Sequence, residues 1–130
     1  MSVSLVDTSA WVDFLRGETK AVARVDPLLA DGVVAVTGPI RAEVLSGASS
    51  TAQYERLRRL LDGLVEVPDP HALWERVAEY RFALARSGFQ AEIVDLAIAV
   101  AALSAGLRLL TRDRDFLRIR TVVPIELEVF

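Results

Sequence analysis

Four short apolar runs constrain this chain more than anything else in it. "VSLV" (3–6), "VVAVT" (33–37), "LRLLT" (107–111) and "TVVPI" (121–125) are too short for helices and rich in branched aliphatic residues. Segments of helical character lie between them. Strands alternating with helices predict an α/β sandwich built on a parallel sheet. Thr8 or Ser9 is placed to cap a helix through "AWVDFLRG", which Gly17 stops. "AVARVDPLLADG" has helical spacing, with Pro27 as a break or the start of a turn. "PIRAEVLSGA" carries Pro39 at a first helical position and Gly47 at its end. Residues 51–62 suit an Arg-rich amphipathic helix, 70–87 a long helix ending at Gly88, and 91–105 a nearly all-apolar helix ending at Gly106. "LVEVP" (64–68) is ambiguous.

With 130 residues, 52% of them hydrophobic, the chain is expected to form one domain (1–130) with a substantial core. The absence of cysteine excludes disulfides and thiolate metal sites and fits a reducing cytosol. No cationic segment followed by an apolar run marks a signal peptide. The longest apolar stretch, "IVDLAIAVAAL", is too short to span a bilayer and contains Asp95. The expectation is a cytoplasmic protein without membrane contact. The net charge of −3 argues against broad nonspecific nucleic-acid binding, although bound divalent cations reverse the local sign. Lys20 is the only lysine. Arginine favours bidentate phosphate contacts, and a genomic compositional bias gives the same pattern.

Four carboxylates fit this architecture poorly as ordinary surface residues. Sites in parallel α/β sheets form beyond the carboxyl ends of the strands. Asp7 directly follows "SLV", and Asp113 follows "LRLLT" by one residue. Glu43 lies inside "IRAEVLSGA", and Asp95 shares a helical face with Ile98, Ala99 and Ala102. A buried carboxylate must be protonated, paired or metal-bound. Structural roles exist for each. Asp7 can cap a helix, Glu43 can be exposed, Asp95 can pair with Arg41 or Arg81, and Asp113 and Asp115 can cap the helix "RDFLRI". All four being structural at once is the less economical reading.

The segments "LVDTSAWVDFLRG" (5–17), "AEVLSGA" (42–48), "DLAIAVAAL" (95–103) and "LLTRDRDF" (109–116) resemble, in order, the motifs of PIN-domain ribonucleases, and more narrowly the VapC-type toxins of toxin–antitoxin pairs. The resemblance implies a PIN-like three-layer sandwich, a mostly parallel sheet flanked by helices. It implies an Mg²⁺- or Mn²⁺-dependent endoribonuclease leaving a 5′-phosphate and a 3′-hydroxyl. Asp7, Glu43, Asp95 and Asp113 match the family's metal-holding acids, and Asp115 stands where many members carry a further one. Thr8, Ser9 and Thr111 match the hydroxyls around them. The implied partners are RNA, a VapB-like antitoxin that offers an Arg to the acidic pocket, and a second copy of the chain. The apolar surface of "AWVDFL" and the 51–62 helix are available for either protein contact.

Beside the resemblance, Arg112 and Arg114 flank Asp113 and are candidates for phosphate contact; surface ion pairs explain them equally. Asp13 reads as a solvated face residue. Glu92, one turn before Asp95, departs from the family's usual Arg or small hydroxyl residue, which bears on substrate choice. Oxygen-only ligands select hard cations. His71 is the single histidine, at a helix start, and there is no cysteine, so a zinc site of the usual type is excluded and paired-histidine and Ser-His-Asp chemistries are disfavoured. Two rivals remain. "DRD" superficially resembles the Asp-x-Asp of Toprim-type sites and "LVDTS" an aspartyl-phosphate phosphatase, yet Ser9 replaces that phosphatase's second Asp. A binding module without turnover is the other, and the presence of all four acids counts against it.

Overall fold

The computed structural model describes residues 2–130. The elements follow as β1 (Ser4–Val6), α1 (Thr8–Leu15), α2 (Thr19–Ala30), β2 (Val34–Thr37), α3 (Gly38–Ser46), α4 (Thr51–Asp62), β3 (Val65–Val67), α5 (Leu73–Arg86), α6 (Ile93–Ala105), β4 (Arg108–Thr111), α7 (Asp115–Ile119) and β5 (Leu127–Val129). The strands form one sheet in the order β3-β2-β1-β4-β5, and every pairing is parallel. Successive side chains on a strand point to opposite faces. All residues of β1 and β2 are buried, so helices cover both faces of the sheet centre. The architecture is therefore the α/β sandwich with a parallel sheet that the alternation implied.

The local signals act as their chemistry requires. The Glu18 carboxylate caps α2 by accepting from the N–H groups of Lys20 and Ala21, and the Ser50 hydroxyl caps α4 through Gln53 N–H. Pro27 does not break the chain: it lies inside α2, where Ala21, Val25 and Leu28 anchor the helix to the core. α6 is buried from Leu96 through Ala102, as a helix apolar on all sides must be. Gly106 ends it at φ 67°, a conformation that costs a residue with a Cβ.

Three boundaries differ from the sequence expectation. "LVEVP" contributes β3, an edge strand. The long helix starts at Leu73 rather than 70, because Pro68 and Pro70 precede it and Ala72 takes a left-handed φ of 53°. His71 is exposed in the turn ahead of it. "TVVPI" is not a strand. The N–H groups of Thr121, Val122 and Val123 bond back to Arg118 and Ile119 carbonyls, and Pro124 has no N–H for a ladder. The apolarity of Val123 and Ile125 reflects burial in the core instead. The last strand is β5, paired with β4 through Leu109–Leu127 and Thr111–Val129.

Candidate active site

Connections leave β1 toward β2 on one side, whereas β4 lies on the other. The gap beyond the carboxyl ends of β1 and β4 is thus the switch point of the sheet, where such folds place their sites. Val6 registers with Leu110, so the residues that follow, Asp7 and Thr111, meet side by side. Asp7 is only 3% exposed. It occupies the position before α1, but its side chain does not cap the helix. Its Oδ2 instead accepts the hydroxyls of Ser9 and Thr111, both at 2.8 Å.

Thr111 is the hub of the site. Besides bonding Asp7, its Oγ1 lies 3.1 Å from Ser9 Oγ and accepts the N–H of Asp113 at 2.9 Å. Asp113 Oδ1 in turn accepts the N–H of Asp115 at 2.9 Å, which bends the chain into α7. Across the cup, Thr8 Oγ1 donates to Glu43 Oε1 at 2.7 Å, tying α1 to α3. Each of the three hydroxyl residues therefore holds an acid directly or through a shared oxygen.

Asp95 enters from the first turn of α6. Burial, with the charges of Asp7, Asp113, Glu43 and Asp115 acting in the same direction, pushes its carboxyl up to about 7. Asp95 thus feels the charges of four other acids of the chain. Burial also raises the Asp7 carboxyl, opposed by the Thr111 and Ser9 hydroxyls. The anticipated ion-pair partners of Asp95 are committed elsewhere. Arg41 pairs with Asp62 at 2.7 Å and lies 3.9 Å from Glu66, while Arg81 Nε donates to the Ala91 carbonyl. Among the described residues, no salt bridge reaches Asp7, Glu43, Asp95 or Asp113. The cup is a concentration of negative charge with oxygen donors only, a donor set that fits a hard divalent cation. Among the described residues no three acids or histidines stand close enough together to form a closed ligand set.

Two open alternatives narrow here and one reading changes. Glu43 is exposed at the rim, where its Oε1 accepts the Thr8 hydroxyl. Arg112 takes the ion-pair alternative: its Nε bonds Asp13 Oδ2 at 3.0 Å, its Nη2 lies 3.5 Å from Glu18, and its guanidinium stacks 4.9 Å from the Phe130 ring centroid. Asp13 is accordingly a half-buried ion-pair partner rather than a solvated residue. The partners are about a hundred residues apart in sequence, so no local signal could reveal them. Arg114 is exposed and, among the described residues, has no salt bridge. Glu92 is exposed at the N-cap position of α6 and makes no capping bond.

The PIN domain family matches residues 4–122. The chain belongs to the PIN-domain family. It is 36% identical over 118 residues to the VapC ribonuclease Mb1587 of Mycobacterium bovis, covering 86% of this chain and 87% of that protein. It is 32% identical over 126 residues to ribonuclease VapC18 of Mycobacterium tuberculosis, covering 92% and 89%. Among solved structures, VapBC2 from Rickettsia felis, bound to a DNA fragment from its promoter, superposes with a TM-score of 0.75 over 98% of both chains at 19% identity. That likeness concerns the fold.

Proposed function

We propose that this chain is a metal-dependent endoribonuclease, the toxin of a VapBC-like pair, working in the cytoplasm. The observation that carries the reading is the convergence of unneutralised carboxylates on Asp95. Its relatives named as VapC ribonucleases support the same reading. Asp7, Glu43, Asp95 and Asp113 would hold Mg²⁺ or Mn²⁺, with Asp115 at the edge. A bound divalent cation lowers the pKa of water and neutralises charge on a leaving phosphate oxygen. The chain's own part is orientation. Ser9 and Thr111 fix the Asp7 carboxylate, Thr8 fixes Glu43, and the Thr111–Asp113 bond sets the turn that presents Asp113. Arg114, exposed beside Asp113 and without a salt bridge among the described residues, would meet a flanking RNA phosphate.

Purified protein incubated with RNA is expected to cleave with Mg²⁺ or Mn²⁺, to stop in EDTA, and to recover when the cation is restored. Cleavage that persists in EDTA would overturn the reading. Sequencing the fragments would identify the RNA and the cleaved sequence.

Two protein contacts belong to the same reading. A groove of about 290 Å³ is lined by Val12 and Leu15 of α1, Glu43 and Val44 of α3, and Gln53 and Leu57 of α4. It joins an apolar floor to the acidic rim, which suits an antitoxin helix that delivers an Arg to the cup. Trp11 takes no part, since it is fully buried in the core. A second copy of the chain suits α5, where Trp74, Ala78, Phe82 and Ala85 form an exposed stripe, Trp74 being 60% and Phe82 66% exposed. An apolar stripe on one helix face can pair with the same stripe of a second copy about a two-fold axis. Phe82→Glu is expected to convert a dimer to a monomer in light scattering. A dimer unchanged by that substitution would move the interface elsewhere.

A further inference from the structure

We propose that the Arg112–Asp13 pair is a positioning clasp that sets Asp113 against Asp7. The inference rests on the metal-dependent reading above and assigns Arg112 a task other than phosphate contact.

Arg112 grips α1 at two points. Its backbone N–H donates to Ser9 Oγ at 3.0 Å, and its guanidinium Nε donates to Asp13 Oδ2 at 3.0 Å. Ser9 and Asp13 are four residues apart on one helix, so they lie on the same side one turn apart. The main chain and the side chain of one residue are therefore bolted along the α1 axis. Glu18 at 3.5 Å and the Phe130 ring at 4.9 Å enclose the guanidinium on further sides. The Arg112 and Asp13 side chains are 24% and 29% exposed, so solvent screens this pair less than an open surface pair.

The turn it holds is the one that carries Asp113. Asp113 N–H to Thr111 Oγ1 and Asp115 N–H to Asp113 Oδ1 lie within the turn itself and fix its shape. Thr111 ties the strand end to Asp7 and Ser9 at the start of α1, and the Arg112–Asp13 pair adds a tie one turn further along that helix. Asp7, at the start of α1, takes its position from the same helix. The clasp thus couples the two acids that come from opposite ends of the chain. Displacing a reacting group by about 1 Å costs as much as 10²-fold in rate, and loss of an outer partner of a ligand commonly costs about 10–100-fold in affinity or activity.

The test compares wild type, Asp13→Ala, Asp13→Asn and Arg112→Ala. Mn²⁺ binding is followed by electron paramagnetic resonance, RNA cleavage is resolved into kcat and KM, and thermal midpoints control for folding. Asp13→Ala is expected to lower kcat and weaken Mn²⁺ binding, each by about 10-fold or more, with KM for RNA unchanged. Asp13→Asn keeps an oxygen for Arg112 Nε and is expected to recover most of both. Arg112→Ala should match Asp13→Ala and leave the salt dependence of RNA binding intact. If Arg112→Ala raises KM and flattens that salt dependence while Mn²⁺ binding is unchanged, Arg112 is a phosphate contact and the clasp is refuted. If wild type binds Mn²⁺ and cleaves but Asp13→Ala equals it, the clasp alone is refuted. If wild type binds no Mn²⁺, the metal-dependent reading fails and takes the clasp with it.

Discussion

Asp95→Asn is expected to abolish RNA cleavage and, in the same protein without metal, to raise the thermal midpoint. The two effects have one cause. Burial and the charges of Asp7, Asp113, Glu43 and Asp115 hold the Asp95 carboxyl at about 7, against 3.8 for a free side chain. Between those values the folded chain binds a proton that the unfolded chain has released. Stability of the metal-free protein therefore falls as pH rises through that window, and the cost is complete above about 7. Asparagine carries no charge and removes the cost. At pH 8 in EDTA the variant should melt higher, by roughly 2–8 °C for each kcal/mol recovered in a domain of this size. At pH 4 the two proteins should melt together. Activity moves the other way, because a neutral amide replaces a charged ligand. The several kcal/mol of charge stabilisation that a catalytic cation supplies correspond to a loss of about 10³-fold. Melting curves at the two pH values and a cleavage assay read both effects. A variant that is less stable than wild type at pH 8 in EDTA would show that Asp95 is a paired structural acid.

Trp11→Ala is expected to cost about 3–5 kcal/mol of folding stability, the range for deleting a large buried aromatic. Trp11 is fully buried on α1 and packs edge-on to Phe14, with ring centroids 5.8 Å apart at 83°. A domain of ordinary stability, about 5–15 kcal/mol, would lose a large share of it. The same helix carries Thr8, Ser9 and Asp13 and begins next to Asp7, so its anchoring also anchors the cup. Urea unfolding checks the value through the midpoint, with the slope unchanged. A loss below about 1 kcal/mol would mean that the neighbours collapse into the space and that α1 is held by other contacts.

What the sequence could convey depended on whether a residue's role is set locally. Asp7 and Asp113 were readable because each follows a buried strand, and a parallel sheet puts strand ends together. Asp95 was readable as one acid in an apolar helix. The Arg112–Asp13 clasp was not, because its partners meet only after β1 and β4 pair. Glu43 could be read either way: its helix is amphipathic only in part, and the acid sits on the wet side, within reach of Thr8. "TVVPI" carries the composition of a strand but spends its N–H groups on a turn, while "LEV" pairs with β4 despite a charge at its centre, which Arg24 neutralises through a two-bond contact at 2.6 and 2.7 Å. Apolar composition reports burial, and ladder pairing is a separate property that needs free N–H groups. The α5 stripe is a related case: its helical period is legible, but only the packed structure shows that Trp74 and Phe82 point away from the core.

The most direct test of the acidic cup is Mn²⁺ titration of the protein, followed by electron paramagnetic resonance, at pH 8 and at pH 6, with Asp7→Asn beside wild type. Saturable binding is expected at pH 8, weaker binding at pH 6 because Asp95 then takes up a proton, and little or none in the variant. Affinity that is equal at both pH values and in both proteins would place any bound cation elsewhere and contradict the convergence of these carboxylates on one ion.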